Sequence, residues 1–155
     1  MQLATSGTPP AINIWPTANY DSTTNSLVIY GGGYGFTSPA LDGVFVLSNA
    51  NGLGGPSVWS QLSVTNPQAR VAHAAVYSSS ANQLITFGGG FAFFGTDTND
   101  TRSLSNANGN SSPATWTAVA AAGGPPGIRE GHSALRRDQR SHDANCRNQC
   151  GQLLL

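Results

Sequence analysis

Two histidines in this chain stand three residues after an arginine, His73 after Arg70 and His132 after Arg129. An imidazole beside a cation could serve as a metal ligand or a general base. Because the pair recurs in like settings, one explanation should serve both, and a buried structural histidine is the simpler one. Its arginine is expected to hydrogen-bond across a packed boundary, since buried polar groups need partners. Two glycine runs, Gly31-Gly32-Gly33 and Gly88-Gly89-Gly90, have the look of phosphate-cradling loops. Such a loop needs a lysine on the phosphates, and the 155 residues include none. The glycines are instead expected to permit positive φ and close backbone approach at a crowded strand end. Cys146, Cys150 and His142 lack the four-ligand spacing of a zinc site. No G-x-S-x-G elbow and no paired nucleophile and base are visible. No catalytic, cofactor-binding or metal-ligating residue is therefore expected. Asn99-Asp100-Thr101 and Asn110-Ser111-Ser112 fit the glycosylation pattern, but loops this rich in Asn and Ser produce such matches by chance.

The composition narrows the fold. Only 9% of residues are charged and the formal net charge is zero, against about a quarter charged in an average chain. A nucleic-acid partner is not expected, because it would call for a basic patch. No run approaches the roughly 18 apolar residues of a membrane helix. Both cysteines lie in the last ten residues, which excludes a disulfide framework for the rest. Short runs of Val, Ile, Tyr, Phe and Trp between Gly, Ser, Thr and Asn point to an all-β protein with many turns.

The residues that could do chemistry sit inside a repeat. LSNANG begins at Leu47 and again at Leu104, an offset of 57 (104 − 47). The same offset links Tyr30 and its glycines to Phe87 and its glycines, Asn25 and Leu27 to Asn82 and Leu84, Tyr20 to Tyr77, and Trp59 to Trp116. It then grows to 59 (129 − 70) for Arg129 and His132, through the linker around Gly123-Gly124-Pro125-Pro126. Each repeat reads as four short strands. Two four-stranded antiparallel sheets are expected, with strand segments near 26–30, 43–47, 57–62, 73–77, 83–87, 101–105 and 114–119. Phe91, Phe93 and Phe94 lie in the loop GFAFFGTDTND; they could contact a ligand, but the reading favours core.

This pattern resembles the kelch repeat of β-propellers. The features that carry the resemblance are the glycine runs at Gly31–Gly33 and Gly88–Gly90, the tryptophans Trp59 and Trp116, and the R-x-x-H at Arg70/His73 and Arg129/His132. The resemblance covers residues 1–134, in units of about 16–72 and 73–131. It is closest to kelch proteins of bacterial type, grouped with the central domain of galactose oxidase. It implies a partial propeller of about two blades plus flanking strands. In the galactose oxidase family the copper site uses two Tyr, one cross-linked to a Cys, and two His. The repeats here contain no Cys, so that site cannot be mapped, and no cofactor is expected.

Both ends depart from the repeat. Gln2-Leu3 with Thr5 matches Gln61-Leu62 with Thr65, so the chain is expected to open inside a fourth strand. Asn13 and Pro16 stand where Arg70 and His73 do. From Leu135 the alternation stops, and four of the seven Arg fall in 135–155. A shifted frame of LRRDQR can spell YDATN, like Tyr20-Asp21 onward, so the tail is expected to be out of frame or disordered. The expected function is a non-catalytic scaffold binding a protein or carbohydrate ligand through its loops. The alternatives are part of a secreted carbohydrate-active or oxidase enzyme whose active residues lie in missing blades, or a truncated, non-functional gene product. The Lys-free, Thr- and Asn-rich composition leans towards an extracellular or cell-envelope setting. With its outer faces open, the isolated chain is expected to be poorly stable or to associate.

Overall fold

The structure, a computed structural model, describes residues 3–110 and 113–127. Arg129, His132, Ser111-Ser112 and the 135–155 tail lie outside the described residues. Among those described there are ten strands and no helix. They are β1 (Thr5–Gly7), β2 (Thr17–Asp21), β3 (Ser26–Tyr30), β4 (Val44–Leu47), β5 (Ser57–Gln61), β6 (Val64–Thr65), β7 (Ala74–Ser78), β8 (Gln83–Phe87), β9 (Thr101–Ser105) and β10 (Ala114–Val119). The seven expected segments match strands to within a residue at each end. Three strands were not anticipated, namely β1, β2 and β6.

The strands form two five-stranded sheets of the same order, β1-β5-β4-β3-β2 and β6-β10-β9-β8-β7, and neither sheet closes on itself. The expectation of purely antiparallel four-stranded sheets needs correcting. Four strands of each sheet are antiparallel, and a fifth lies parallel on the outer edge: β1 along β5 and β6 along β10. The physical reason is the open edge of the tryptophan strand, whose unpaired backbone groups accept any extended segment within reach. Leu3 and Leu62 anchor these segments. Their methyl groups lie 3.1 and 2.7 Å from where a Cβ would stand on Gly52 and Gly109. The chain leaves β5, pairs through β6 with one edge of the second sheet, and only then enters the strand at that sheet's opposite edge, β7.

The repeated asparagines have assignable roles. Asn25 and Asn82 end the first hairpin turns at φ 52° and 49°, a conformation Asn tolerates better than most residues. Each accepts a hydrogen bond from the tyrosine hydroxyl five residues earlier, Tyr20 and Tyr77. Each also donates to the Asn of the second turn, Asn51 at 2.6 Å and Asn108 at 2.9 Å. Asn49 and Asn106 are again at positive φ and donate to the carbonyls of Pro56 and Pro113. One asparagine lattice thus ties both hairpins together at the same end of each sheet.

Residues paired across strands share a face, and the registers separate the faces. Val28, Tyr30, Val44 and Val46 lie on one face of the first sheet, and Leu84, Leu104 and Trp116 on one face of the second. With Ala107 and Ala114 these residues form the main core, and Tyr77 packs against its edge. Tyr30 and Trp116 meet across the sheets at 4.7 Å between ring centroids. The packing is front to back: the inner face of the first sheet meets the opposite kind of face on the second. Trp116 is 2% exposed, while Trp59, its equivalent, is only half-buried because no second sheet among the described residues covers its face.

Candidate functional site

Of the expected signature residues, the two glycine runs, Arg70 and His73 converge where the sheets come together beside β2 and β7, whereas Trp59 lies on the far face of the first sheet. Gly31, Gly32, Gly88 and Gly89 all have φ between 70° and 93°, which favours glycine. Gly33 and Gly90 do not, so the expectation of positive φ fails for the third glycine of each run. Their role is pairing instead: Gly33 bridges to Ile14 and Ala40, and Gly90 to Val71 and Asp97.

His73 is 1% exposed and lies between the two runs. A Cβ on Gly31 would stand 2.9 Å from its Cε1, and one on Gly89 2.7 Å from its Cβ. The ring meets Tyr30 edge-on at 4.8 Å, and Nε2 shares a 3.0 Å hydrogen bond with Thr17 Oγ1 across the sheet boundary. Nδ1 has no partner among the described residues, so the imidazole is only half satisfied. Burial first, and then the charge of Arg70, push its pKa down to about 4. A hydroxyl beside an imidazole has the ingredients of an activated nucleophile. Here no acceptor among the described residues orients Nδ1, and the ring is buried.

Arg70 is 3% exposed. Its side chain was expected to bond across the boundary, but it turns into its own sheet. Nη2 donates to both oxygens of Asp100, at 2.8 and 2.6 Å. Phe91 covers the guanidinium at 4.4 Å, and Arg102 Nε donates to Asp100 at 2.7 Å. Burial acts to raise the pKa of Asp100, but Arg102, Thr98 and Arg70 together hold it below the usual carboxylate range. What crosses the boundary is the Arg70 backbone, whose carbonyl accepts from Gly32 N–H at 2.8 Å. Asp100 was not identified from sequence. The available signal was that the two positions change together: Asn13 stands for Arg70 and Gly43 for Asp100 one offset earlier.

The loop phenylalanines overturn the core reading. Phe91 is 56% exposed and Phe94 76%. Phe93 and Phe94 build an aromatic cluster with Trp15 and Phe36 from loops of both sheets, while Phe91 lies against Arg70. Trp15 stacks on Phe93 at 4.2 Å, Phe36 meets Phe93 edge-on at 4.7 Å, and Phe94 lies 5.1 Å from Phe93. The loops are joined by Ala40 N–H donating to the Phe91 carbonyl at 2.7 Å. Trp15 holds φ 55°, which sets its ring towards the cluster side of its loop. Trp15 was missed because Ala72 stands one offset later, whereas Phe36 has Phe93 one offset later, a signal that was available.

Away from this cluster, a cleft of about 260 Å³ lies among Asn13, Gly31, Tyr34, Phe45 and Gln61. Asp42 is the one charged residue lining it. Among the described residues no group of three or more His, Cys, Asp or Glu could hold a metal ion, and no helix is long and apolar enough to cross a membrane. No known protein family matches the chain, and no curated protein does.

Proposed function

We propose that the chain is the repeat-bearing part of a kelch-type β-propeller and acts as a non-catalytic scaffold that binds a protein partner through its loop end. The propeller reading is supported by the two like-ordered sheets stacked front to back, the offset that relates them, and the glycine, tryptophan and R-x-x-H positions. The observation that carries the binding reading is the aromatic cluster of Trp15, Phe36, Phe93 and Phe94, with Phe36 51% and Phe94 76% exposed. Contiguous exposed apolar patches mark interaction sites, and Trp and Phe are enriched at the centres of protein interfaces. The cluster includes no charged side chain, which favours apolar and aromatic side chains as the groups it receives.

Panning a random peptide library on the chain tests this. Enriched peptides are expected to carry apolar or aromatic residues and to lose at least about tenfold in affinity against Phe36→Ser with Phe94→Ser, each such anchor contributing on the order of 1–2 kcal/mol. Peptides that bind the double variant as tightly as the parent would remove the loop end from consideration.

A further inference from the structure

Among the described residues, the interface between the two sheets leaves one half of itself without a covering sheet at each side. Tyr77, Leu84, Leu104 and Trp116 line the receiving half of that interface, on the second sheet. One offset earlier, the face of the first sheet turned away from the second carries Tyr20, Leu27, Leu47 and Trp59, the same four residue types in the same register, with Tyr20 47% exposed, Leu27 and Trp59 half-buried and Leu47 buried. Val28, Tyr30, Val44 and Val46 are the inserted half. Their equivalents on the uncovered face of the second sheet are Ile85, Phe87, Thr101 and Ser103, with Val76 60% and Val119 44% exposed beside them. None of these residues is charged.

The polar contacts change in matched pairs. The His73–Thr17 hydrogen bond has Pro16 and Ala74 at the corresponding positions, and the Arg70–Asp100 pair has Asn13 and Gly43. Both partners are replaced together, so repeating the interface leaves neither pair with one member buried alone; the hydroxyls of Thr101 and Ser103, which stand where Val44 and Val46 do, are the polar groups the repeated contact has to satisfy. The backbone contact is available again: Gly89 stands where Gly32 does, and Asn13 where Arg70 offers its carbonyl.

We infer that a second copy of this chain docks its second sheet onto the first sheet of its neighbour, repeating the internal interface between molecules. Phe87 then meets the neighbour's Trp59 as Tyr30 meets Trp116. The contact joins two different faces, so it is head-to-tail and continues until a ring closes. Propellers close at roughly four to eight sheets, which corresponds to about two to four copies. This inference goes beyond the loop-end reading and does not depend on it.

Sedimentation of the 155-residue chain across a concentration series, with two variants, tests it. The parent is expected to form a discrete oligomer. Trp59→Arg blocks one face and Phe87→Arg the other, so each alone should sediment as a monomer. An equimolar mixture of the two should form a one-to-one dimer, because each retains the face the other has lost. Circular dichroism checks that each variant is folded; if either is not, Leu27→Arg and Val76→Arg block the same two faces. A parent that stays monomeric throughout, a variant that still self-associates, or a mixture that yields no dimer would overturn the inference. Unchanged peptide binding at the loop end in the monomeric variants separates its failure from that of the loop-end reading.

Discussion

Arg70 Nη2 donates to both carboxylate oxygens of Asp100, at 2.8 and 2.6 Å, and one offset earlier Asn13 and Gly43 stand in their place. Arg70 is buried and Asp100 only partly so. Removing the acid alone therefore leaves a buried cation with nothing to offset its desolvation. Asp100→Ala is expected to cost about 3 kcal/mol in urea unfolding, at the low end for a broken buried pair because Asp100 is partly solvated. The double variant Arg70→Asn with Asp100→Gly, which copies the arrangement of the first sheet, is expected to cost less than Asp100→Ala alone. A double variant less stable than that single one would show that the two positions are not coupled.

Gly31 has φ +71°, and a Cβ there would lie 2.5 Å from the Arg70 carbonyl oxygen and 2.9 Å from His73 Cε1. Gly35 has nothing within 4 Å and no positive φ. Gly31→Ala should therefore lower stability by at least about 2 kcal/mol, from backbone strain and overlap together. Gly35→Ala should stay within about 0.5 kcal/mol of the parent. Thermal melts of the two variants side by side make the comparison, and equal effects would argue against the close approach of the sheets at Gly31.

Burial, with the charge of Arg70 added, lowers the His73 pKa from 6.5 to about 4. The folded state therefore binds the proton less readily than the unfolded chain. The stability this histidine allows is fully present above pH 6.5 and is lost progressively as the pH falls from 6.5 towards 4, by about 3 kcal/mol over the whole window. Chemical denaturation at a series of pH values should show this slope. In His73→Gln, which keeps a donor for Thr17, the slope between pH 6.5 and 4 should largely flatten. A parent slope retained in the variant would place the sensitivity elsewhere.

Trp59 and Trp116 occupy the same register position, yet only Trp116 is covered by another sheet. In dilute solution Trp116→Ala should cost about 3–5 kcal/mol, the usual range for a buried large aromatic. Trp59→Ala should cost under about 2 kcal/mol, because much of its ring is already solvated. Equal costs at a dilution where the chain is monomeric would mean that the outer face of the first sheet is not open.

Much of this protein is set by local pattern. Alternation over five residues places Val28 and Tyr30 on one face and Leu27 and Ile29 on the other, and that period is a property of extended backbone. Asn25, Asn82, Asn49 and Asn106 mark turns because asparagine tolerates positive φ, and the offset of the tryptophans locates equivalent strands without any three-dimensional information. The β2 strand escaped notice because Asn13 and Pro16 break the arginine–histidine signature just before it. Strands β1 and β6 escaped because three and two extended residues carry no periodicity of their own.

The tertiary structure decided matters that depend on which segments meet. Only packing shows that β6 pairs with the far edge of the next sheet, since a strand of two residues takes its register from its partner. Only packing places Asp100 against Arg70, thirty residues away. It also sets the fates of chemically alike side chains. Trp116 is buried and Trp59 half-exposed because a neighbouring sheet covers one and not the other. Phe93 and Phe94, apolar in sequence and so readable as core, stand with Trp15 and Phe36 in loops of both sheets, where Phe94 and Phe36 are exposed and Phe93 is half-buried. Residue type records a preference for burial, and the burial itself is conferred by whatever the fold brings alongside.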